Sequence, residues 1–147
     1  MRINFQTEYA FRILIFLQIK PDENISTRQI AEAFNISVTH LNKVSQHLVR
    51  LGLLESTRGR NGGIMLAQGV LDKKVGDVMR AIEPSEDIAQ CRGKIGLAPC
   101  AISPVCKLQG VLAEGKEAFW GSLNQYTLGE LVTGEENAND IRLLLSM

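Results

Sequence analysis

Over residues 3–19 apolar side chains return at helical spacing, with Tyr9, Ile13, Phe16 and Leu17 behind a polar start and Lys20-Pro21 as the stop. The pattern predicts one amphipathic, largely buried helix. Ser26 followed three residues later by Gln29 is a capping box that opens a short second helix through Ile30, Ala31 and Phe34, ended by Asn35. Ser37 then caps a third, V-T-H-L-N-K-V-S-Q-H-L-V-R-L, in which Leu41, Val44, Leu48 and Leu51 form the buried stripe and Gly52 closes the run. Opposite that stripe stand Thr39, His40, Asn42, Lys43 and Gln46. A short joint between two helices, the second polar along one face, is the pattern of a helix-turn-helix. Its hydroxyls and amides suit base edges, and Lys43 suits phosphate. A solvated helix face carries the same residue types, so the next segment of the chain has to decide between the two readings.

That segment reads as a wing. Leu53 to Thr57 and Ile64 to Leu66 are short strands around R-G-R-N-G-G, where Asn61, Gly62 and Gly63 are expected to supply positive backbone dihedrals and leave Arg58 and Arg60 projecting. Arginines on a thin hairpin suit a narrow minor groove. With Arg28 and Ser37, the expected DNA contacts are Arg28, Ser37, Thr39, His40, Asn42, Lys43, Gln46, Arg58, Arg60 and Asn61. The fold class is thus mainly α, a winged helix-turn-helix with a small β-hairpin.

Beyond the wing, Val75 to Ile82 is a short helix, and Pro84 opens a loop. From Val105 the positions Leu108, Val111, Leu112, Ala118, Phe119 and Leu123 predict a helix of about 20 residues, near 30 Å long. So long a helix with an apolar stripe wants a partner, and a second copy of the chain matches paired half-sites in DNA; packing against the first helix of the same chain is the alternative. Residues 134–140, G-E-E-N-A-N-D, read as a solvated connector, and Ile141 to Leu145 as a terminal anchor. The expected division is 1–82 for DNA binding, 83–104 for a cysteine loop, and 105–147 for dimerisation.

Charge adds little. Residues 1–66 carry 8 Lys and Arg against 5 Asp and Glu, and residues 67–147 carry 8 against 11, so the first part is weakly basic and the local placement of its charges matters more than the sum. No apolar run approaches the roughly 20 residues that span a bilayer, and a cytoplasmic location is expected. Chemistry concentrates in the cysteines. All three, Cys91, Cys100 and Cys106, fall in C-R-G-K-I-G-L-A-P-C-A-I-S-P-V-C. That clustering suits a metal or redox site better than a secreted disulfide framework, and three thiolates suit an iron-sulfur cluster or zinc with one further ligand. Only His40 and His47 are present, without paired carboxylates nearby, so no enzyme is expected.

The segments T-E-Y-A-F-R-I-L-I-F-L, R-G-R-N-G-G-I, C-A-I-S-P-V-C-K-L and Y-T-L-G-E-L-V together resemble the iron-sulfur winged-helix repressor family of the NsrR, IscR and RirA type. The likeness spans nearly the whole chain and looks closest to the nitric-oxide-sensing NsrR members. It implies a homodimeric repressor whose Cys91, Cys100 and Cys106 hold an iron-sulfur cluster, 4Fe-4S favoured over 2Fe-2S. In such members a carboxylate from the first helix of the opposite subunit completes the site. Where the family pattern is T-D-Y this chain has Thr7-Glu8-Tyr9, which makes Glu8 the expected fourth ligand, with a longer reach. Members of the IscR type have histidine three residues after the last cysteine; here that residue is Gln109. Eight residues separate Cys91 from Cys100, more than is usual there, and a longer loop costs little, about 0.6 kcal/mol per doubling. The implied mechanism is operator release when nitric oxide damages the cluster. An iron-supply regulator, a cluster-free thiol switch and a protein-binding adaptor are the alternatives.

Overall fold

The computed structural model describes residues 3–21, 23–57, 59, 62–83 and 100–145. Asn4 has extended backbone and its side chain accepts from the Gln6 N–H at 2.9 Å, which caps α1 (Phe5–Gln18). Thr7, Ala10, Ile13, Leu14, Phe16 and Leu17 are buried along it. That set wraps more than a single stripe because α3, α4 and β2 all pack on this helix. Ser26 and Gln29 form the expected capping box, and α2 runs Thr27–Ala33. It ends in a Schellman turn: Asn35 takes φ 51°, its N–H reaches the Glu32 carbonyl, and the Ile36 N–H reaches the Ala31 carbonyl at 2.8 Å. The same device closes α3 (Val38–Arg50), with Gly52 at φ 66° and the Leu53 N–H on the Leu48 carbonyl at 3.0 Å. Both stops fall where Asn35 and Gly52 placed them. Ser37 does sit at the start of α3, but its side chain makes no cap bond, contrary to expectation.

The wing pairs β1 (Leu54–Thr57) with β2 (Gly63–Leu66) antiparallel, Leu54 opposite Leu66 and Thr57 opposite Gly63. Ile25 joins as a short third partner, exchanging both backbone bonds with Ile64 at 3.1 and 2.8 Å. This contact corrects the reason for a glycine at 63. Among the described residues of the wing a positive φ falls on Gly59, at 111°, and not on Gly63. A Cβ at Gly63 would instead stand 2.7 Å from the Ile25 carbonyl oxygen, so the residue is small because two backbones meet there.

After a 3-10 turn (Val70–Asp72), α4 occupies Val75–Ile82 as predicted. The C-terminal segment is anchored on it twice. α5 (Leu108–Leu123) crosses α4 at Gly76, where a Cβ would lie 2.8 Å from the Trp120 carbonyl. Asn124 locks the crossing by accepting from the Asp77 N–H at 3.0 Å and donating to the Asp77 carboxylate at 2.8 Å. The chain then returns alongside the start of α4: Val75 N–H bonds the Tyr126 carbonyl, Leu128 N–H bonds the Lys73 carbonyl, and Leu128 is fully buried. The Thr127 N–H and hydroxyl both donate to Glu130, and these bonds, the backbone one foremost, hold its carboxyl below the usual range.

Two expectations fail here. The long helix begins at Leu108 rather than Val105, because Ser103–Val105 is a 3-10 turn with proline in its first positions and Cys106 is extended; 16 residues give about 24 Å, not 30. Residues 134–140 are not a connector but the greater part of α6 (Gly134–Leu144). Ala138 buries one face of α6, and the Arg142 guanidinium donates twice to the Ile19 carbonyl, at 2.9 and 2.7 Å, where α1 ends. Of the expected anchor, Leu145 packs on the core while Leu143 and Leu144 are exposed.

Replacing Gly63 by Ala should lower folding stability by about 1 to 3 kcal/mol, the usual cost of forcing atoms into a filled site. Urea denaturation would read this as a lower midpoint with unchanged slope. An unchanged midpoint would mean that the Ile25 backbone is not pressed against this position.

Candidate functional site

The two short helices present α3 as the exposed element of the pair. Leu41, Val44, Ser45 and Leu48 hold it to the core, which leaves Thr39, His40, Asn42, Lys43 and Gln46 exposed along its other side. Arg28 on α2 and Ser37 at the head of α3 are exposed as well. With no side-chain cap at Ser37, the first N–H groups of α3 and the Ser37 hydroxyl can both serve an anionic oxygen. Asn42 is not independent: the Thr27 hydroxyl of α2 donates to its Oδ1. At the base of the wing the Thr57 hydroxyl accepts from the Asn24 amide at 2.8 Å and from the Gly63 N–H at 3.3 Å. Arg58, Arg60 and Asn61, the expected wing contacts, lie outside the described residues.

A cavity of about 900 Å³ opens between the exposed polar face of α3, the first turns of α1 and the end of α4. His40, Lys43, Gln46, His47 and Arg50 line it from α3, Asn4, Phe5, Gln6 and Tyr9 from α1, and Ile82 and Glu83 from the opposite end. Glu83 is pinned there, its carboxylate accepting from the buried Thr7 hydroxyl at 2.7 Å and from the Asn4 N–H at 3.3 Å. The residue from which the chain leaves toward the cysteines is therefore fixed to the head of α1.

Cys100 is exposed and Cys106 half-buried, both as free thiols, on either side of the 3-10 turn Ser103–Val105. Gln109 in the first turn of α5 donates to the Ser103 hydroxyl at 2.7 Å and so braces that turn. Cys91 lies outside the described residues. As donors, two accessible soft thiols on a braced turn fit an iron-sulfur cluster or zinc. Glu8 sits on α1 with its carboxylate paired to Arg12 one turn on. The Arg12 guanidinium in turn lies 5.8 Å from the Tyr9 ring and 5.7 Å from the ring of Phe34, which closes α2. Within the chain, no three metal-ligating side chains gather among the described residues.

Several of these residues escape a reading of the sequence. Thr27 looks like an ordinary first residue after a cap, and Glu83 like the end of a helix. Their partners, Asn42 and Thr7, are distant along the chain, and no spacing rule connects them. Arg12 carried a usable signal, since it follows Glu8 at the four-residue spacing of a helical ion pair.

Comparison with known proteins agrees with this architecture. Residues 3–134 match the Rrf2 family, described as iron-dependent transcriptional regulators. The HTH-type transcriptional regulator NsrR of Bacillus subtilis is 41% identical, across 100% of this chain and 99% of its own. The NsrR protein of Halalkalibacterium halodurans is 38% identical, across 92% of this chain and 93% of its own. Among solved structures, the oxidised form of Staphylococcus aureus CymR superposes with a TM-score of 0.69 at 26% identity, over 92% of this chain and 98% of that one. IscR of T. potens gives 0.69 at 25% identity, over 92% and 90%. The relatives are named as regulators and not as enzymes. With its winged helix-turn-helix and full-length relatives of this kind, the chain belongs to the Rrf2 family of transcriptional regulators.

Proposed function

We propose that the chain acts as a cytoplasmic, homodimeric repressor that binds operator DNA and senses nitric oxide through an iron-sulfur cluster. The cluster, 4Fe-4S in preference to 2Fe-2S, is held by Cys91, Cys100 and Cys106 of one subunit and by Glu8 of the other. The observation that carries the reading is the shared cavity: the recognition face of α3, the head of α1 and Glu83, where the cysteine segment begins, all meet in it. Glu83, where the segment that carries the cysteines begins, thus shares a cavity with His40 and Lys43 of α3. When bound, the cluster supplies iron reactive toward nitric oxide, most open at the corner where a hard carboxylate oxygen holds it less firmly than a thiolate.

The chain's own residues set the coupling. An iron at Glu8 would compete with Arg12 for the same carboxylate, and Arg12 stands over Phe34 at the turn between α2 and α3. Ligation and its loss would therefore change the charge that Arg12 faces beside the helix-turn-helix. A coupling of 1 to 3 kcal/mol, usual for allostery, changes operator affinity by about 5- to 150-fold. Leu108 and Val111 on α5, with Ile102 and Val105 before it, are exposed; a second copy covering them would pair two recognition helices, as half-sites about 34 Å apart, one turn of DNA, require. In this division 1–82 reads DNA, 83–104 carries the thiols and 105–147 joins the subunits.

Two observations favour related readings. The family's description as iron-dependent suits a regulator of iron supply built on the same ligands. The likeness to an oxidised CymR, with Cys100 and Cys106 as free thiols, suits a cluster-free thiol switch.

Protein purified without oxygen is expected to be brown, with iron and acid-labile sulfide, and Cys106→Ala colourless; a colourless wild type that stays so after reconstitution would favour the thiol switch. Glu8→Ala should keep its helical circular dichroism while its visible absorption decays faster, whereas an unchanged lifetime would remove Glu8 from the coordination shell. Lys43→Ala should weaken binding to every duplex tested and reduce the slope of log affinity against log salt by about 1, as for one lost phosphate contact. An unaltered slope would take Lys43 off the DNA backbone.

A further inference from the structure

Cys106 stands at a joint in the chain. Before it runs the 3-10 turn Ser103–Val105, after it α5 begins at Leu108, and its own backbone is extended, with φ -78° and ψ 111°. Backbone hydrogen bonds stop on either side of it. The Val105 N–H reaches the Ile102 carbonyl at 3.1 Å, the Gly110 N–H reaches the Lys107 carbonyl at 3.1 Å, and among the described residues none crosses Cys106. Cys100 belongs to the first piece, since its carbonyl accepts from the Ser103 N–H at 3.0 Å. What spans the joint is a pair of side chains: Gln109 Nε2, in the first turn of α5, donates to Ser103 Oγ at 2.7 Å. A hydroxyl both donates and accepts, so the bond holds whichever half of the amide is turned toward it. Ser103, Cys106 and Gln109 are all half-buried, whereas Ile102, Val105 and Leu108 are exposed. The bond therefore closes the joint on the side where Cys106 is covered.

An extended residue between two helical pieces keeps two soft dihedrals, and rotation there swings the turn, with Cys100 on it, relative to α5. Groups that ligate together have to be held within about 0.5 Å of the productive geometry by neighbours that fix them. Resting on the reading of these thiols as the sensing site, we propose that Gln109, acting through Ser103, is a positioning residue for the thiol pair. It sets the angle of the joint and with it the cover over Cys106 and the placement of Cys106 relative to Cys100.

The test begins with the full-length protein, freed of iron by chelation without oxygen, kept reduced, and given a pulse of iodoacetamide. Fragment mass spectrometry then reads alkylation at each thiol, with the exposed Cys100 as reference in the same molecules. Gln109→Ala and Ser103→Ala are each expected to raise the Cys106-to-Cys100 ratio by about 2- to 13-fold, the effect of losing one hydrogen bond. The double variant should go no further than either single one, as for two ends of one contact. Ser103→Thr, which keeps the hydroxyl, should match wild type. In cluster-loaded protein, Gln109→Ala should shorten the lifetime of the visible absorption by a similar factor. Unchanged ratios in the single variants, or effects that add in the double one, overturn the proposal. A raised ratio with an unchanged absorption lifetime overturns it too, since the bond would then cover Cys106 without placing it for the cluster. A wild type that stays colourless after reconstitution overturns the cluster reading instead, and the alkylation ratios then decide this inference by themselves.

Discussion

Six side chains of α1, from Thr7 to Leu17, are buried, and α3, α4 and β2 all lean on them. Ile13 and Leu14 have no exposure at all, and truncating such a side chain to alanine costs about 2 to 5 kcal/mol. A helix gripped this way does not slide or turn without disturbing each of its neighbours, since close-packed interiors transmit displacement rather than absorb it. The same helix carries Asn4, Thr7 and Glu8 at its head, where Glu83 is tied down, and its tail is capped by Arg142 of α6. Whatever displaces the head of α1 is therefore passed on to α3 and to β2, which pack on it.

That arrangement gives physical content to regulation in so small a chain. Ligand chemistry at a loop is weakly coupled to a distant surface unless a packed element connects the two. Here the connection is short. Arg12 lies between Glu8 and the turn that joins α2 to α3, and the cavity puts Lys43 and His40 across from Asn4 and Tyr9. The C-terminal segment contributes by anchoring: Leu128, the Asp77–Asn124 pair and the glycine at 76 fix where α5 crosses α4, so its exposed apolar end emerges in a set direction.

Most of the first 82 residues was legible from local chemistry. Caps, Schellman stops and a short helix depend on a few neighbouring residues, so Ser26-Gln29, Asn35, Gly52 and the span 75–82 could be read directly. The features that stayed hidden depend on tertiary contact. Residues 134–140 are polar enough for a connector, and their helix is held by Ala138 and by the distant reach of Arg142 to Ile19, although Glu135 and Glu136 at its first turn were a usable sign. Gly63 resembles a turn glycine until the Ile25 backbone is seen beside it. At the site, the exposed face of α3 came from the position of its apolar stripe, but the restraint on Asn42 by Thr27 and the lodging of Glu83 against Thr7 come from how helices meet, which periodicity does not encode.

In this view the state of the thiol site and the hold on DNA are one equilibrium. Its most direct test is an anaerobic titration of the full-length protein with nitric oxide, in which visible absorption and binding to a tightly held duplex are followed in the same sample. Absorption is expected to bleach and DNA to be released together, over the same few equivalents. Bleaching with the DNA still bound, or release with the absorption intact, would contradict a single equilibrium.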